Sequence, residues 1–310
     1  MTIVHRTINY ALRAVNRVIT FALPWLPRWM VQPFASPYVA GETVDDAIRH
    51  IRALNQQGYS TTLDILGEHV QSREEAQVVT DAYCNLFDRI HTENLDSTVS
   101  IKPTHLGLEL DKEIAKTNIQ KIASKAEKYR NGLTIDMENS PYTDATLDIY
   151  KMCVNNYNGV GTVLQSYLFR SIEDVRNFHS QNFHIRICKG IYRESPSIAH
   201  QTREDIRDNF IRMVKTSLRG QGFTAIATHD PVLIDTLDNW ISDHNISKDR
   251  FEFQVLYGVP MGDKLDILKN KGYSVRIYVP FGAAWFDYSI RRLKENPNII
   301  WYVLANLFKR

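Results

Sequence analysis

The sequence predicts an α/β fold, a (β/α)8 barrel with an N-terminal helical arm. Eight short apolar runs follow one another from residue 60 onward, and stretches with a helical pattern lie between them. Strands that are buried on both faces of a parallel sheet read as continuous apolar runs, and intervening helices indicate βαβ units. Eight such units in about 250 residues agree with the usual size of this barrel.

The predicted strands are residues 61–66, 98–101, 133–137, 161–167, 183–188, 224–227, 251–256 and 274–279. The helical stretches are residues 72–90, 112–129, 143–157, 202–219 and 231–243. A doubly wound open sheet is the alternative fold, because it also alternates strands with helices. A chain of 310 residues is long enough to bury a large core.

The first 41 residues differ in composition from the rest and predict the arm, which leaves residues 42–310 for the barrel. They contain no acidic residue. On a helical wheel, apolar residues form one face and arginines the opposite face. These are Ile8, Leu12, Val15 and Ile19 on the apolar face and Arg6, Arg13 and Arg17 on the basic face. Two interpretations stay open: a helix packed on the barrel, or peripheral contact with an anionic membrane through residues 1–35.

Charge and cysteine content exclude several classes of function. The net charge is +2 at pH 7, which gives no indication of a nucleic-acid partner. Cys84, Cys153 and Cys188 lie far apart in the sequence, so neither a disulfide framework nor a zinc site is expected. No run of 18 apolar residues predicts a helix that spans a membrane. We therefore expect a cytoplasmic protein without a metal ion, on the inner face of the membrane if the arm binds lipid.

Most of the predicted strands end in or near a polar or aromatic side chain. These side chains are Glu68, Lys102, Asp136, Glu138, Gln165, Lys189, Thr228, His229, Tyr257 and Tyr278, together with Leu256. A barrel gathers the carboxyl ends of its strands into one ring, where barrel enzymes place their chemistry. We therefore expect a charged or polar ligand to bind at this end.

A second cluster of polar residues lies near the C-terminus on a predicted helix. Its members are Tyr288, Arg291, Arg292 and Glu295. Residues three and four apart share a helix face, so these side chains can converge on one site. Two adjacent guanidinium groups repel each other unless an anion lies between them, and a carboxylate is their natural bidentate partner. The alternative is a solvated basic surface of a helix.

This run resembles the Y-x-x-R-R-x-x-E-N signature of proline dehydrogenase, and further blocks resemble the same family in the same order. These blocks are residues 64–68, 101–104, 135–138, 163–167, 186–192, 227–230, 251–258 and 276–280. The resemblance implies FAD-dependent oxidation of L-proline to 1-pyrroline-5-carboxylate, with hydride transfer from proline C5 to flavin N5. It is closest to the short, monofunctional bacterial type. It implies a membrane quinone as electron acceptor and a separate pyrroline-5-carboxylate dehydrogenase as a partner, within proline catabolism to glutamate.

The resemblance also implies roles for individual residues. FAD would be held by Gln165, Arg186, Lys189, Thr228 and His229. The substrate carboxylate would bind Lys102, Arg291 and Arg292, and the ring would be enclosed by Leu256, Tyr278 and Tyr288, with Glu295 nearby. Asp136 would orient the catalytic groups, and Glu68 would pair with Arg291 as a gate. Apart from the family, an arginine inside an apolar strand requires a partner or a ligand, because an unpaired buried charge is costly.

Two rival functions use the same residues. Lys102 and Lys189 end predicted barrel strands, where a lysine can serve a Schiff-base aldolase. A catalytically inactive barrel that serves as a membrane-bound scaffold is the rival outside enzymes. The arginine doublet and Arg186 disfavour the aldolase, and the scaffold would be expected to lack a charged residue of the mouth, whereas none is missing.

Overall fold

The computed structural model describes residues 27–178 and 183–295, and these form a closed barrel of eight parallel strands. The strands are β1 Ser60–Ile65, β2 Ser97–Ile101, β3 Leu133–Ile135, β4 Val160–Gln165, β5 His184–Cys188, β6 Phe223–Ala227, β7 Phe251–Leu256 and β8 Val275–Phe281. Each strand pairs with the next one in sequence, and β8 closes the barrel against β1. The predicted barrel is therefore confirmed, and the open sheet is wrong.

Helices surround the barrel and follow its strands. They are α1 Arg28–Ala35, α2 Val44–Gln56, α3 Arg73–Thr92, α4 Lys112–Lys128, α5 Thr143–Asn156, α6 Ser171–Phe178, α7 Arg203–Arg219, α8 Pro231–Asp243, α9 Lys264–Asn270 and α10 Trp285–Glu295. Within the described ranges, no helix is long and apolar enough to cross a bilayer. The predicted amphipathic arm falls largely on residues 1–26, which lie outside the described residues.

Several helices begin at side chains that cap them close to the carboxyl ends of the strands. Thr43 and Asp46 form a reciprocal capping box at the start of α2. Ser72, Thr202 and Asp230 accept hydrogen bonds from backbone N–H groups in the first turns of α3, α7 and α8. Such a cap stabilises a helix by about 1 kcal/mol and fixes where it starts. The caps therefore also set the length of the loops that surround the barrel mouth.

The two faces of the barrel differ in chemistry. Alternate residues of a strand share a face, and the outward face packs apolar side chains such as Leu63, Ile101 and Val279 against the helices. The inward face carries charged groups instead of the branched apolar residues that usually fill such barrels. Arg276 Nε donates to both carboxylate oxygens of buried Glu252, at 2.8 and 3.0 Å, and forms the lower part of this interior.

The segment that follows α1 is bound to the carboxyl ends of the strands. Ala40 N–H donates to the carbonyl oxygen of Pro280 at 2.9 Å, and Gly282 N–H donates to the carbonyl oxygen of Gly41 at 3.0 Å. Glu42 accepts a hydrogen bond from the indole N–H of Trp285 at 2.5 Å. These contacts fix the start of α10, the helix that carries the predicted arginine doublet.

Gly258, in the loop after β7, allows this segment to approach. It has a φ of +75°, and a Cβ built on it would lie 1.6 Å from the carbonyl oxygen of Pro37. Gly262 in the same loop has a φ of +57°, but a Cβ there would meet no atom within 4 Å. The two glycines share the left-handed backbone and differ in the space around them.

We therefore expect Gly258→Ala to lower the free energy of unfolding by about 3 kcal/mol or more, and Gly262→Ala by only about 1 kcal/mol. Both variants carry the strain of a left-handed alanine, and only the first also collides with the backbone at Pro37. Urea unfolding followed by circular dichroism measures both values. Equal losses would show that the close approach to Pro37 contributes nothing.

Candidate active site

A cavity of about 670 Å³ opens at the carboxyl ends of the strands. Its volume lies within the range of small-molecule and cofactor sites. Every residue that the family resemblance assigns to the site and whose side chain is described lines it, whereas the strand-end residues Glu138 and Tyr257 do not. The residues that line it are Glu68, Lys102, Asp136, Gln165, Arg186, Lys189, Thr228, His229, Leu256, Tyr278 and Tyr288. The structure thus brings together residues that are more than 200 positions apart in the sequence.

Asp136, directly after β3, is the centre of a buried network. Its Oδ1 accepts a hydrogen bond from Arg186 at 2.7 Å, and its Oδ2 accepts one from the phenol of Tyr278 at 2.8 Å. The ammonium group of Lys102 lies 3.9 Å from Oδ2. One carboxylate therefore accepts hydrogen bonds from a guanidinium and a phenol and lies within ion-pair distance of an ammonium group at the same wall of the cavity.

Lys102 forms a second ion pair deeper in the barrel. Its Nζ donates to Asp64 at 2.7 Å, and the Asp64 side chain is only 1% exposed. Burial lowers the pKa of Lys102, but the carboxylates of Asp64 and Asp136 outweigh this effect and raise the pKa well above the ordinary lysine value. Tyr83 of α3 reaches Asp64 from outside the barrel at 3.5 Å. Lys102 is therefore a permanent cation of fixed orientation.

Arg186 and Tyr278 lie against each other beside Asp136. The guanidinium carbon lies 5.2 Å from the centre of the Tyr278 ring, and the Arg186 side chain also donates to Ser100 at 3.1 Å. Burial, with the negative charges of Asp136 and Asp64, holds the pKa of Tyr278 well above the ordinary tyrosine value. The phenol is thus a hydrogen-bond donor at any physiological pH.

Two buried polar atoms in this region have no hydrogen-bond partner within the described part of the chain. They are Nε of Arg186, a donor, and Oε1 of Gln165, an acceptor. Gln165 is 2% exposed, and its amide nitrogen donates to the carbonyl oxygen of Met137 at 3.4 Å. Buried polar groups are nearly always hydrogen-bonded. The pair therefore fits a planar ligand that carries both acceptors and donors along one edge.

The other end of the cavity is basic and rigid. Asp230 accepts a bidentate pair of hydrogen bonds from Arg207, at 2.7 and 2.8 Å, and a further one from Lys189. Burial raises the pKa of Asp230, but Arg207 and Lys189 outweigh it and hold the pKa well below the usual range. Asp230 also caps α8, so Lys189 is tied to the start of that helix.

His229 has a structural contact that its position in the sequence does not show. Its Nε2 accepts a hydrogen bond from the backbone N–H of Leu256 at 2.8 Å. This contact places the proton of the neutral ring on Nδ1. His229 therefore joins the loop after β6 to the end of β7, and it fixes the backbone of Leu256 at the cavity wall.

Sequence reasoning missed Tyr192, which lines the cavity on the loop after β5. Burial raises the pKa of Tyr192, and the charges of Glu138 and Glu68 add to the effect. Gly190, with a φ of +100°, allows the loop to pass the ring of Tyr167, because a Cβ there would lie 2.0 Å from the ring. Tyr192 ends one of the sequence blocks that resemble the family, residues 186–192, and this position could have indicated that it lies at the site.

The predicted arginine doublet and Glu295 are placed only in part. The backbone of α10 includes Arg291, Arg292 and Glu295, but their side chains lie outside the described residues. Tyr288, one turn earlier, lines the cavity. The helix therefore brings Tyr288 to the mouth, and the placement of the arginine side chains stays a prediction.

Comparisons with known proteins identify one family. The family profile described as "Proline dehydrogenase" matches residues 47–299. "Proline dehydrogenase 2" of Bacillus subtilis (strain 168) is 38% identical over 282 residues, which cover 91% of this chain and 93% of the relative. "Proline dehydrogenase" of Deinococcus radiodurans is 34% identical over 289 residues, which cover 92% and 93%. The fold resembles a crystal structure of proline utilization A from Bdellovibrio bacteriovorus, with a TM-score of 0.80 at 24% identity, over 87% of this chain and 33% of that one.

His105 lies beneath the loop that carries Glu68. It is 8% exposed, and a Cβ on Gly67 would lie 2.2 Å from its Nε2, so the ring occupies the space that the glycine leaves. Burial, and then the positive charge of Lys102, lowers the pKa of His105 from 6.5 to about 4. The folded protein therefore keeps this ring neutral where an unfolded chain would protonate it.

We expect this difference to make the protein less stable in acid. Between pH 6.5 and pH 4 the unfolded state binds the extra proton, so stability is lost as the pH falls through that window. Replacing His105 with Gln should reduce the loss between pH 7.5 and 4.5 by about 2 kcal/mol. Urea unfolding of both proteins at the two pH values measures it. An unchanged pH dependence in His105→Gln would mean that the ring is charged in the folded state.

Proposed function

Because this chain belongs to the proline dehydrogenase family, we propose that it oxidises L-proline to 1-pyrroline-5-carboxylate with FAD held at the barrel mouth. The observation that supports this most strongly is the network at the cavity in which Asp136 accepts hydrogen bonds from Arg186 and Tyr278 and lies 3.9 Å from the ammonium group of Lys102. In this network Lys102, which would bind the substrate carboxylate, lies close to Arg186, which would bind the electron-rich cofactor. Residues that are distant in the sequence serve both needs in one place.

FAD would supply the acceptor for the hydride from proline C5, which no side chain can provide. Gln165 and Arg186 would hold it through the two buried atoms that have no partner among the described side chains. Lys189, Thr228 and His229 would hold the rest of the molecule. Arg186 presents a fixed positive charge, which favours an electron-rich cofactor.

The substrate carboxylate would bind Lys102 together with Arg291 and Arg292. Lys102 is suited to this role because Asp64 and Asp136 keep it charged and limit its rotation. Leu256, Tyr278 and Tyr288 would enclose the proline ring. Fixing the ring in one orientation is the main contribution of such a site to the rate, because it removes the entropy cost of alignment.

Asp136 would act as the orienting group rather than as a base. Both of its oxygens already accept hydrogen bonds, from Arg186 and from Tyr278. Proline reacts as the neutral amine, and solvent would take its proton before the hydride leaves. Glu68, which lines the cavity, would pair with Arg291 as a gate, with Glu295 one turn further along α10.

The geometry disfavours the Schiff-base alternative. An aldolase lysine must lose its proton to attack a carbonyl group. The carboxylates beside Lys102 raise its pKa well above the ordinary value, although burial opposes them. Lys189 is bound to Asp230, which shares its charge with Arg207. Lys102 is thereby held as a cation, and Lys189 is already engaged in an ion pair, so both suit anion binding better than attack on a carbonyl group.

The electrons would pass to a membrane quinone, and the product to a separate pyrroline-5-carboxylate dehydrogenase. A cytoplasmic location on the inner face of the membrane, through residues 1–35, remains a prediction.

We expect the purified protein to show a flavin spectrum that bleaches when L-proline is added without oxygen. 4-Hydroxyproline should leave it oxidised, because Tyr278 would deny room to the hydroxyl group. A soluble quinone analogue should then restore the spectrum of the proline-treated sample. A flavin that stays oxidised with proline would contradict the substrate, and a colourless protein that cannot take up FAD would contradict the cofactor.

Replacing Arg291 or Arg292 with Lys should raise the KM for proline about ten-fold or more and leave FAD bound. Lysine keeps the charge but cannot form the bidentate fork. Steady-state kinetics and the flavin content of each variant measure these effects. Arg219→Lys, near Trp240 on the outer surface, is the matched control and should change neither value. Loss of FAD with an unchanged KM would place the doublet at the cofactor instead.

A further inference from the structure

We propose that His69, Glu109 and Tyr142 form a rim chain that holds Glu68 in place and thereby sets how tightly the substrate is bound. The inference rests on the proposed function and extends it to residues that do not touch the cavity. Among the residues of this region that the structure describes, Glu68 lines the cavity, whereas the three members of the rim chain do not. They are positioning residues.

The rim chain joins three loops at the barrel mouth. His69 Nδ1 lies 2.8 Å from a carboxylate oxygen of Glu109, and the phenol of Tyr142 donates to the other oxygen. His69 belongs to the loop after β1, Glu109 to the loop after β2, and Tyr142 to the loop after β3. The carboxylate of Glu109 therefore connects loops that no strand pairing holds together.

His69 controls the direction of its neighbour through the backbone. It has a φ of +54°, a left-handed conformation that is uncommon for residues other than glycine. Its side chain is 51% exposed, whereas the adjacent Glu68 side chain is 15% exposed and lines the cavity. The turn at His69 thus sends one side chain into the cavity and the next one out to Glu109.

Two further contacts support this turn. The side-chain amide of Gln71 donates to the carbonyl oxygen of His69 at 3.0 Å. His69 Nε2 also lies 3.8 Å from a carboxylate oxygen of Glu68, so the ring stands between two carboxylates. The hydrogen bond to Glu109 raises the pKa of Tyr142 to about 12, which keeps the phenol a donor.

The expected effect is on binding and not on the chemical step. The network around Asp136 has its own buried contacts and does not depend on the rim chain. Because the rim chain is partly exposed, its coupling to Glu68 is modest, and its loss should change the KM about two- to five-fold. The value of kcat should stay within a factor of two of the wild type.

The test compares Tyr142→Phe and His69→Asn with Tyr129→Phe in the full-length protein loaded with FAD. Asparagine tolerates the left-handed backbone, so His69→Asn removes the ring and keeps the turn. Tyr129 donates to Asp88 at 2.5 Å on the outer helices, so Tyr129→Phe loses the same kind of hydrogen bond away from the mouth. Steady-state kinetics with L-proline give KM and kcat, and hydrogen–deuterium exchange follows the peptide that contains residues 66–72.

In both rim-chain variants we expect a raised KM, an unchanged kcat and faster exchange of residues 66–72, with no change in Tyr129→Phe. Rim-chain variants that match the control in both measurements would overturn the proposal. A fall in kcat equal to the rise in KM would also overturn it, because it would place the chain in the reaction itself. If proline fails to reduce the wild-type flavin, the proposed function fails, while the exchange rates still decide whether the chain holds this loop.

Discussion

The site depends on the cost of burying charge. Asp64 is 1% exposed within the barrel, and Arg186 is 8% exposed on its side chain, so each requires a partner of opposite charge. Leaving either without its partner would cost several kcal/mol, because the interior cannot solvate a lone ion. The positions of Lys102 and Asp136 are therefore set by electrostatic compensation. The charged groups that line the cavity are thus already paired and oriented without a ligand.

The barrel interior can hold these charged pairs because apolar packing outside the barrel stabilises the fold. The outward faces of the strands pack against the helices through large buried side chains such as Tyr83, Phe87 and Phe210. The barrel interior can therefore contain buried polar groups whose desolvation would destabilise a small domain. Loops at the mouth are joined in turn by side chains: Thr104 donates to Glu138, and Ser140 donates to Glu194. The rim chain adds to this series of links between loops of the mouth.

Much of the fold and part of the site could be predicted from the sequence. The strands could be predicted because both of their faces are covered, which gives continuous apolar runs. The ends of the strands could be predicted because a polar side chain there interrupts the apolar run. The hydrogen-bond and ion-pair partners of the site residues could not be predicted from the sequence. Nothing in the sequence pairs Lys102 with Asp64 or places Tyr192 at the cavity wall, because these contacts arise only when the barrel closes and the loops fold over it. The same holds for His69 and Glu109, whose contact depends on a left-handed turn.

The ion pair of Glu252 and Arg276 bears on how small molecules enter and leave the site. It joins the adjacent strands β7 and β8 below the cavity and outside its lining, and Arg276 is also bound to the carbonyl oxygen of Thr61 on β1 at 2.7 Å. Three neighbouring strands are thereby joined beneath the cavity. Under the proposed function, proline, its oxidised product and the electron acceptor would all use the cavity at the carboxyl ends of the strands, so they would occupy it in turn. Slow release of the product would then delay reoxidation of the cofactor, and turnover would depend on how quickly the product is removed.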